Sequence, residues 1–217
     1  FQELNQLENA VKHYQKAIDI KPNYPEAHNN LGVAFKELKE FDSAIKAYQM
    51  AINIKPDYAE AHNNIGIVYK ELGQLDDAIK SHEKALNIIP DYAEAHNNLG
   101  IILIEDRQLN EAIERFKKAI AADSIFIEAY NNLGSALMEF NDFDLSLENF
   151  QKALSINPKY VEAHNNLGRL FMHLGQLDDA VACFQKSIKI NHDYEYAHNN
   201  LGLAFSDLGN LDDSMKS

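Results

Sequence analysis

Ala61-His62-Asn63-Asn64-Ile65-Gly66 recurs along the chain at a fixed interval. The same six positions read Ala27-His28-Asn29-Asn30-Leu31-Gly32, then Ala95 to Gly100, Ala163 to Gly168 and Ala197 to Gly202. Once they are altered, as Ala129-Tyr130-Asn131-Asn132-Leu133-Gly134. The interval is 34 residues every time, without insertion or deletion. A constant period of that length dictates a stacked repeat, because one unit cannot bury its own apolar face and neighbours of the same shape bury it for one another. Such a stack has one continuous core, so 217 residues need not divide into separate globular domains.

Apolar residues make up 46% of the chain, ample for a core of this kind. No apolar run approaches the roughly 18 residues of a membrane span, and Phe1 opens in mid-pattern without a signal-peptide signature. Cys183 is the only cysteine, which excludes an internal disulfide and indicates neither compartment nor metal site. The formal charge of −13 works against nucleic acid and anionic membranes, both of which call for basic stripes. It favours neutral or basic partners, or else serves solubility alone. A cytoplasmic location is the expectation.

Each unit reads as two helices. Starting two residues before the Ala-His run, full repeats span 25–58, 59–92, 93–126, 127–160 and 161–194, with partial repeats at 1–24 and 195–217. Asn23-x-x-Glu26, Asp57-x-x-Glu60 and Asp91-x-x-Glu94 predict capping boxes at the start of the first helix. That helix should fade at Leu72-Gly73-Gln74, Leu174-Gly175-Gln176 and Leu208-Gly209-Asn210, where glycine can take the left-handed conformation of a C-terminal cap. The second helix should restart with Asp76, Asp178 or Asp212 at the cap position. Pro56, Pro90 and Pro158 follow its end. Ala10, Tyr14, Ala17 and Pro22 align with Ala44, Tyr48, Ala51 and Pro56, and Phe1 aligns with Phe35, so both ends cut through a unit. The expectation is a piece of a longer array whose apolar ends are exposed and tend to stack end to end.

These residues resemble the tetratricopeptide repeat (TPR) family. With Pro25 as the first position, Leu31-Gly32, Phe35, Ala44, Tyr48, Ala51 and Pro56 fall where that family has Leu-Gly, Tyr, Ala, Phe, Ala and Pro. The second full repeat supplies Ile65-Gly66, Tyr69, Ala78, Ala85 and Pro90, with His82 at the aromatic position. The family's usual Trp is replaced by His or by Tyr130. The closing Pro is replaced by Ser124 and His192, which predicts looser or differently angled junctions there. The resemblance implies an all-α, right-handed TPR superhelix whose first helices line a concave groove.

At about 100° per residue, positions four, seven, eight and eleven of the first helix (His62, Ile65, Gly66, Tyr69) form one stripe, predicted buried. Positions two, five, six, nine, twelve and thirteen lie opposite. On the fold that the resemblance implies, the groove then carries two Asn rows. The fifth-position row is Asn29, Asn63, Asn97, Asn131, Asn165 and Asn199; the sixth-position row is Asn30, Asn64, Asn98, Asn132, Asn166 and Asn200. A carboxamide both donates and accepts, so it can pair with a peptide backbone whatever the side chains are. At roughly 10 Å per rung, one rung serves about three residues of an extended peptide. The sixth-position row resembles the Asn ladder of the O-GlcNAc transferase superhelix, while the role of the fifth-position row stays open. Against the ladder stands a second reading, in which the Asn residues bond within their own repeat or fix a neighbouring loop. The Glu row (Glu26, Glu60, Glu94, Glu128, Glu162) and the apolar ninth positions Val33, Ile67, Ile101 and Leu203 likewise read either as ligand contacts or as internal packing.

The carboxylate clamp of chaperone cofactors does not fit, since Arg169 is the only cation at the corresponding positions. His28, His62, His96, His164 and His198 repeat too far apart to share one zinc ion. Asp76-Asp77, Asp178-Asp179 and Asp212-Asp213 read as helix-start residues rather than paired catalytic acids. Cys183 with His173 makes no convincing dyad, and no phosphate loop or zinc-protease motif appears. The chain is expected not to be an enzyme and to need no cofactor or metal. Its expected role is a protein-interaction module that binds an extended, neutral-to-basic peptide segment, with no nucleic acid and no membrane insertion. The alternatives are the substrate-recruiting arm of a larger enzyme such as a glycosyltransferase, and a structural array that self-associates through its ends.

Overall fold

The computed structural model describes residues 2–215, with side chains described from 5 to 209. Among the described residues all regular structure is helical: α1 (Gln2–Ile20), α2 (Pro25–Glu37), α3 (Phe41–Ile54), α4 (Ala59–Glu71), α5 (Leu75–Ile88), α6 (Ala93–Glu105), α7 (Leu109–Ala122), α8 (Ile127–Glu139), α9 (Phe143–Ile156), α10 (Val161–His173), α11 (Leu177–Ile190) and α12 (Glu195–Met215). The first helices of the repeats are α2, α4, α6, α8, α10 and α12. The chain forms two compact units, Phe1–Gln108 and Leu109–Ser217.

In the first unit α2 packs on α3 and α4 on α5, and consecutive pairs stack so that α3 meets α4 and α5 meets α6. Ala44, Tyr48, Ile65 and Val68 form a buried cluster, with Val33, Phe35, Ile52 and Tyr69 packed against it. The second unit repeats the arrangement: α8 packs on α9, α10 on α11, and α9 meets α10. There Met138, Phe150, Leu167 and Leu170 form one buried cluster and Ala180, Phe184 and Ala204 another. Close approach within a pair depends on glycine. A Cβ placed on Gly32 would stand 2.6 Å from the Tyr48 ring, and one on Gly168 would stand 2.5 Å from Phe184.

The ends of the helices differ in part from expectation. No capping box forms at α2, α4 or α6: their N-cap residues are Tyr24, Tyr58 and Tyr92, without a side-chain cap bond. Asn23, Asp57 and Asp91 lie one residue before the N-cap. Asp76 and Asp178 also miss the cap, which falls on Gln74 and Gln176; they sit in the first turn, where a carboxylate favours the helix dipole. At α9 the N-cap is Asp142, whose side chain accepts from the Leu145 N–H at 3.2 Å.

Gly73 and Gly175 do take the left-handed conformation, with φ of 72° and 71°. Around Gly73, its own N–H donates to the Lys70 carbonyl and the Gln74 N–H to the Tyr69 carbonyl, the paired bonds that close a Schellman motif. Lys39, Arg107 and Asn141 hold the same place with φ of 60°, 60° and 63°. Gly209 does not end its helix. α12 runs through it to Met215, since adding residues to an existing helix needs no new nucleus, whereas a separate second helix of about six residues would. Asp212 and Asp213 thus lie inside α12; their side chains, and the placement of Phe1, fall outside the described residues.

The junctions without proline keep the same turn. The Phe126 N–H donates to the Asp123 carbonyl at 3.2 Å and the Tyr194 N–H to the Asn191 carbonyl at 3.3 Å, as the Tyr58 N–H does to the Lys55 carbonyl at 3.1 Å. A side chain supports each of these two turns: Asp123 accepts from the Ile125 N–H and Asn191 from the Asp193 N–H. The same Asx turn forms at the Pro158 junction, where Asn157 accepts from the Lys159 N–H at 2.9 Å, so the turn does not depend on the ring.

Candidate functional site

The histidine row forms a set of latches. The Nε2–H groups of His28, His62, His96 and His164 donate to the carbonyls of Pro22, Pro56, Pro90 and Pro158, and that of His198 to His192, all at 2.9–3.0 Å. Tyr130 reaches the Ser124 carbonyl at 3.3 Å in the same way. Each latch ties the first helix to the loop that leads into it. A carbonyl serves whatever residue carries it, so Ser124 and His192 replace proline without losing the contact.

The two Asn rows differ in kind. Asn29, Asn63, Asn97, Asn131 and Asn165 are buried, while Asn64, Asn98, Asn132, Asn166 and Asn200 are half-buried and Asn30 is exposed. This departs from the helical sorting, which put the fifth position opposite the buried stripe. The reason is that a first helix is covered on two sides, by its own second helix and by the first helix of the next repeat, as contacts between α2 and α4, α4 and α6, α8 and α10, and α10 and α12 show. Asn199, on α12 with no helix after it among the described residues, is exposed.

Hydrogen bonds join the rows across repeats. The Nδ2 groups of Asn64, Asn98, Asn166 and Asn200 donate to the Oδ1 atoms of Asn29, Asn63, Asn131 and Asn165, at 3.1, 3.2, 3.0 and 2.9 Å. Asn29, Asn63 and Asn165 commit further groups to the protein. Asn29 donates to Glu60 at 3.0 Å, and Asn63 accepts from His82 Nδ1 at 2.9 Å and pairs with the Tyr92 phenol. Asn64, Asn98 and Asn200 each retain an Oδ1 and a second N–H that no described protein group takes. Nothing in the sequence separates the two rows except the neighbouring repeat, which a helical wheel of one helix omits.

The Glu row adjoins a tyrosine row. Burial raises the pKa of Tyr58 and Tyr92 to about 12, helped by Glu60 and Glu26 at the former and by Glu94 and Glu60 at the latter. Burial, with Glu162 and Glu128 nearby, raises that of Tyr160. Glu60 accepts from Asn29 and is hydrogen-bonded to Tyr58, so this member of the row has an internal role. Val33, Ile67 and Ile101 are half-buried at the ninth position, whereas Leu203 is 51% exposed.

Burial pushes the Cys183 thiol up to about 11, opposite to the activation a nucleophilic thiolate needs. His173 stacks on Phe143 with ring centroids 6.3 Å apart. No helix among the described residues is long and apolar enough to cross a membrane.

Antiparallel helix pairs repeating every 34 residues, with glycine against an aromatic ring inside each pair, define a tandem helical-repeat protein. A family model described as "TPR repeat" matches residues 1–39, 34–73, 134–175 and 168–209, and a second, "Tetratricopeptide repeat", matches 57–124. The chain belongs to the tetratricopeptide repeat family, whose members generally mediate protein–protein interactions. No curated protein matches it by sequence. Among solved structures it is similar to YrrB, a TPR protein described as having an unusual peptide-binding site (22% identity, 87% of this chain and 97% of that one, TM-score 0.65). It is also similar to MamA (28%, 75% and 95%, 0.65) and to a chain of the APC/C hetero-tetramer Cut9–Hcn1 (18%, 92% and 40%, 0.83).

Proposed function

We propose that the chain is a protein-interaction module that binds an extended peptide segment along its first-helix faces, with the sixth-position Asn residues pairing to the ligand backbone. The observation that carries this reading is the division of labour between the rows. Asn29, Asn63, Asn131 and Asn165 are buried, and each holds one N–H of the next repeat's sixth-position Asn. The carboxamides of Asn64, Asn98 and Asn200 are thereby fixed in orientation with a donor and an acceptor left over. A pre-oriented carboxamide loses less side-chain entropy on binding than a free one, and one donor with one acceptor matches a peptide unit. Asn29, Asn63, Asn131 and Asn165 then belong to the site as its supports. The net charge of −13 favours a neutral or basic ligand.

The test is peptide-array binding by the wild type and by a variant with Asn64, Asn98 and Asn132 changed to Ala, at a temperature where circular dichroism gives equal helicity. Loss of affinity on the order of tenfold or more is the expected result. Equal binding by both proteins would assign the sixth-position row to inter-repeat bonding alone.

A further inference from the structure

A uniform ladder that reads only backbone cannot fix where a ligand sits. Identical rungs roughly 10 Å apart let an extended chain slip by about three residues and pair equally well. Whatever sets the register must differ from repeat to repeat. The ninth position does: it reads Val33, Ile67, Ile101, Ser135, Arg169 and Leu203, each three residues after the sixth-position Asn of its helix. In the second unit, Arg169, Met172, His173, Asn200 and Leu203 line an open depression of about 330 Å³ between α10 and α12.

Three features of this depression point to one occupant. Arg169 is exposed and makes no ion pair among the described residues, although the chain carries 33 acidic side chains. Asn200 lines the same depression, is held by Asn165 at 2.9 Å and keeps a second N–H. Met172 and Leu203 supply apolar walls, with Leu203 51% exposed. A guanidinium and an amide N–H lining one depression suit a carboxylate, and the apolar walls suit a short methylene stem.

We infer that the pocket between α10 and α12 takes a glutamate side chain of the bound peptide, with Arg169 and Asn200 on its carboxylate, and so sets the register of an otherwise uniform ladder. This rests on the proposed peptide-binding reading. It names the ligand more closely: a neutral or basic extended segment with one Glu at a fixed place. The single cation also distinguishes it from a clamp on a chain terminus, which needs cations on successive helices.

The experiment uses an array of 15-residue peptides in which a single Glu, or Gln as its uncharged counterpart, is moved through every position of a neutral-to-basic background. It is read with the wild type, with Arg169→Gln, and with Lys152→Gln, which removes one charge from exposed α9. The expected result is a preference of roughly tenfold for Glu over Gln, at one place in the peptide. Arg169→Gln erases that preference and leaves Gln peptides bound as before, while Lys152→Gln keeps it. Binding of Glu and Gln peptides alike by the wild type overturns the register pocket and leaves the ladder standing. A Glu preference that survives Arg169→Gln, or that Lys152→Gln also removes, overturns it too and assigns the effect to net charge. Absence of all peptide binding overturns both readings.

Discussion

His82 occupies the place that other repeats give to Tyr48, Phe116, Phe150 and Phe184, and like them it is buried almost completely, at 1% exposure. It differs in donating Nδ1–H to Asn63 at 2.9 Å, which makes it part of the polar seam between repeats as well as of the core. Burial lowers its pKa to about 4 from 6.5. Below pH 6.5 the unfolded chain therefore binds a proton that the folded chain refuses, and stability falls as pH drops from 6.5 toward 4. Between about pH 7.5 and about pH 5.8, above the isoelectric point of about 5.0, the loss from this one group is about 1 kcal/mol. Thermal melts of the wild type and of His82→Phe across that interval measure it: the wild type should lose more stability on acidification than the variant. Parallel curves would mean that His82 titrates normally in the fold. Equivalence of position 82 with the aromatic row was legible from the period alone. Its bond to Asn63 was not, because it needs the buried placement of the fifth-position row, which only the packing of successive repeats produces.

At the scale of the helix, the same glycine column serves different ends. Gly32, Gly66, Gly134 and Gly168 face a ring that a Cβ would meet at 2.5–2.8 Å, whereas a Cβ on Gly202 would meet nothing within 4 Å. Gly168→Ala should therefore destabilise the chain by about 1–3 kcal/mol, since the ring of Phe184 is fully buried and has no room to withdraw. Gly202→Ala should be neutral or stabilise by up to about 1 kcal/mol, because alanine restricts the unfolded chain and favours the helix. Urea titrations of the two variants decide the matter, and equal effects would sink the argument from close approach. The helix pairs and their starts at residues 25, 59, 93, 127, 161 and 195 could be read from the recurring motif. Their caps could not. An Asp or Asn three residues before a Glu forms a capping box only if it is itself the N-cap, and Tyr24, Tyr58 and Tyr92 hold that place. Likewise the break at Gly209 needs a following helix long enough to repay its nucleation.

Across the whole chain, 33 acidic side chains oppose 20 basic ones. Most ion pairs among the described residues are local contacts on one helix, such as Lys117–Glu114 at 2.9 Å and Lys80–Asp77 at 3.8 Å; Lys70–Glu105 at 3.2 Å joins neighbouring first helices. Exposed pairs of this kind contribute little, so the excess negative charge acts mainly as repulsion between repeats. Charges one repeat apart stand at roughly 10 Å. That distance is well inside the screening length of about 30 Å at about 0.01 M salt and beyond the length of about 8 Å at about 0.15 M. Added salt should thus weaken repulsion between repeats while leaving contact pairs at 3–4 Å almost intact. The expected outcome is a rise in melting midpoint of a few degrees on going from about 0.01 to about 0.15 M sodium chloride. It would be followed by circular dichroism and compared at its half-point, because stacked repeats need not melt in one step. A midpoint that stays put or falls would mean that the local pairs outweigh the net charge. In that case the acidity of the chain would not set the stability of its own fold.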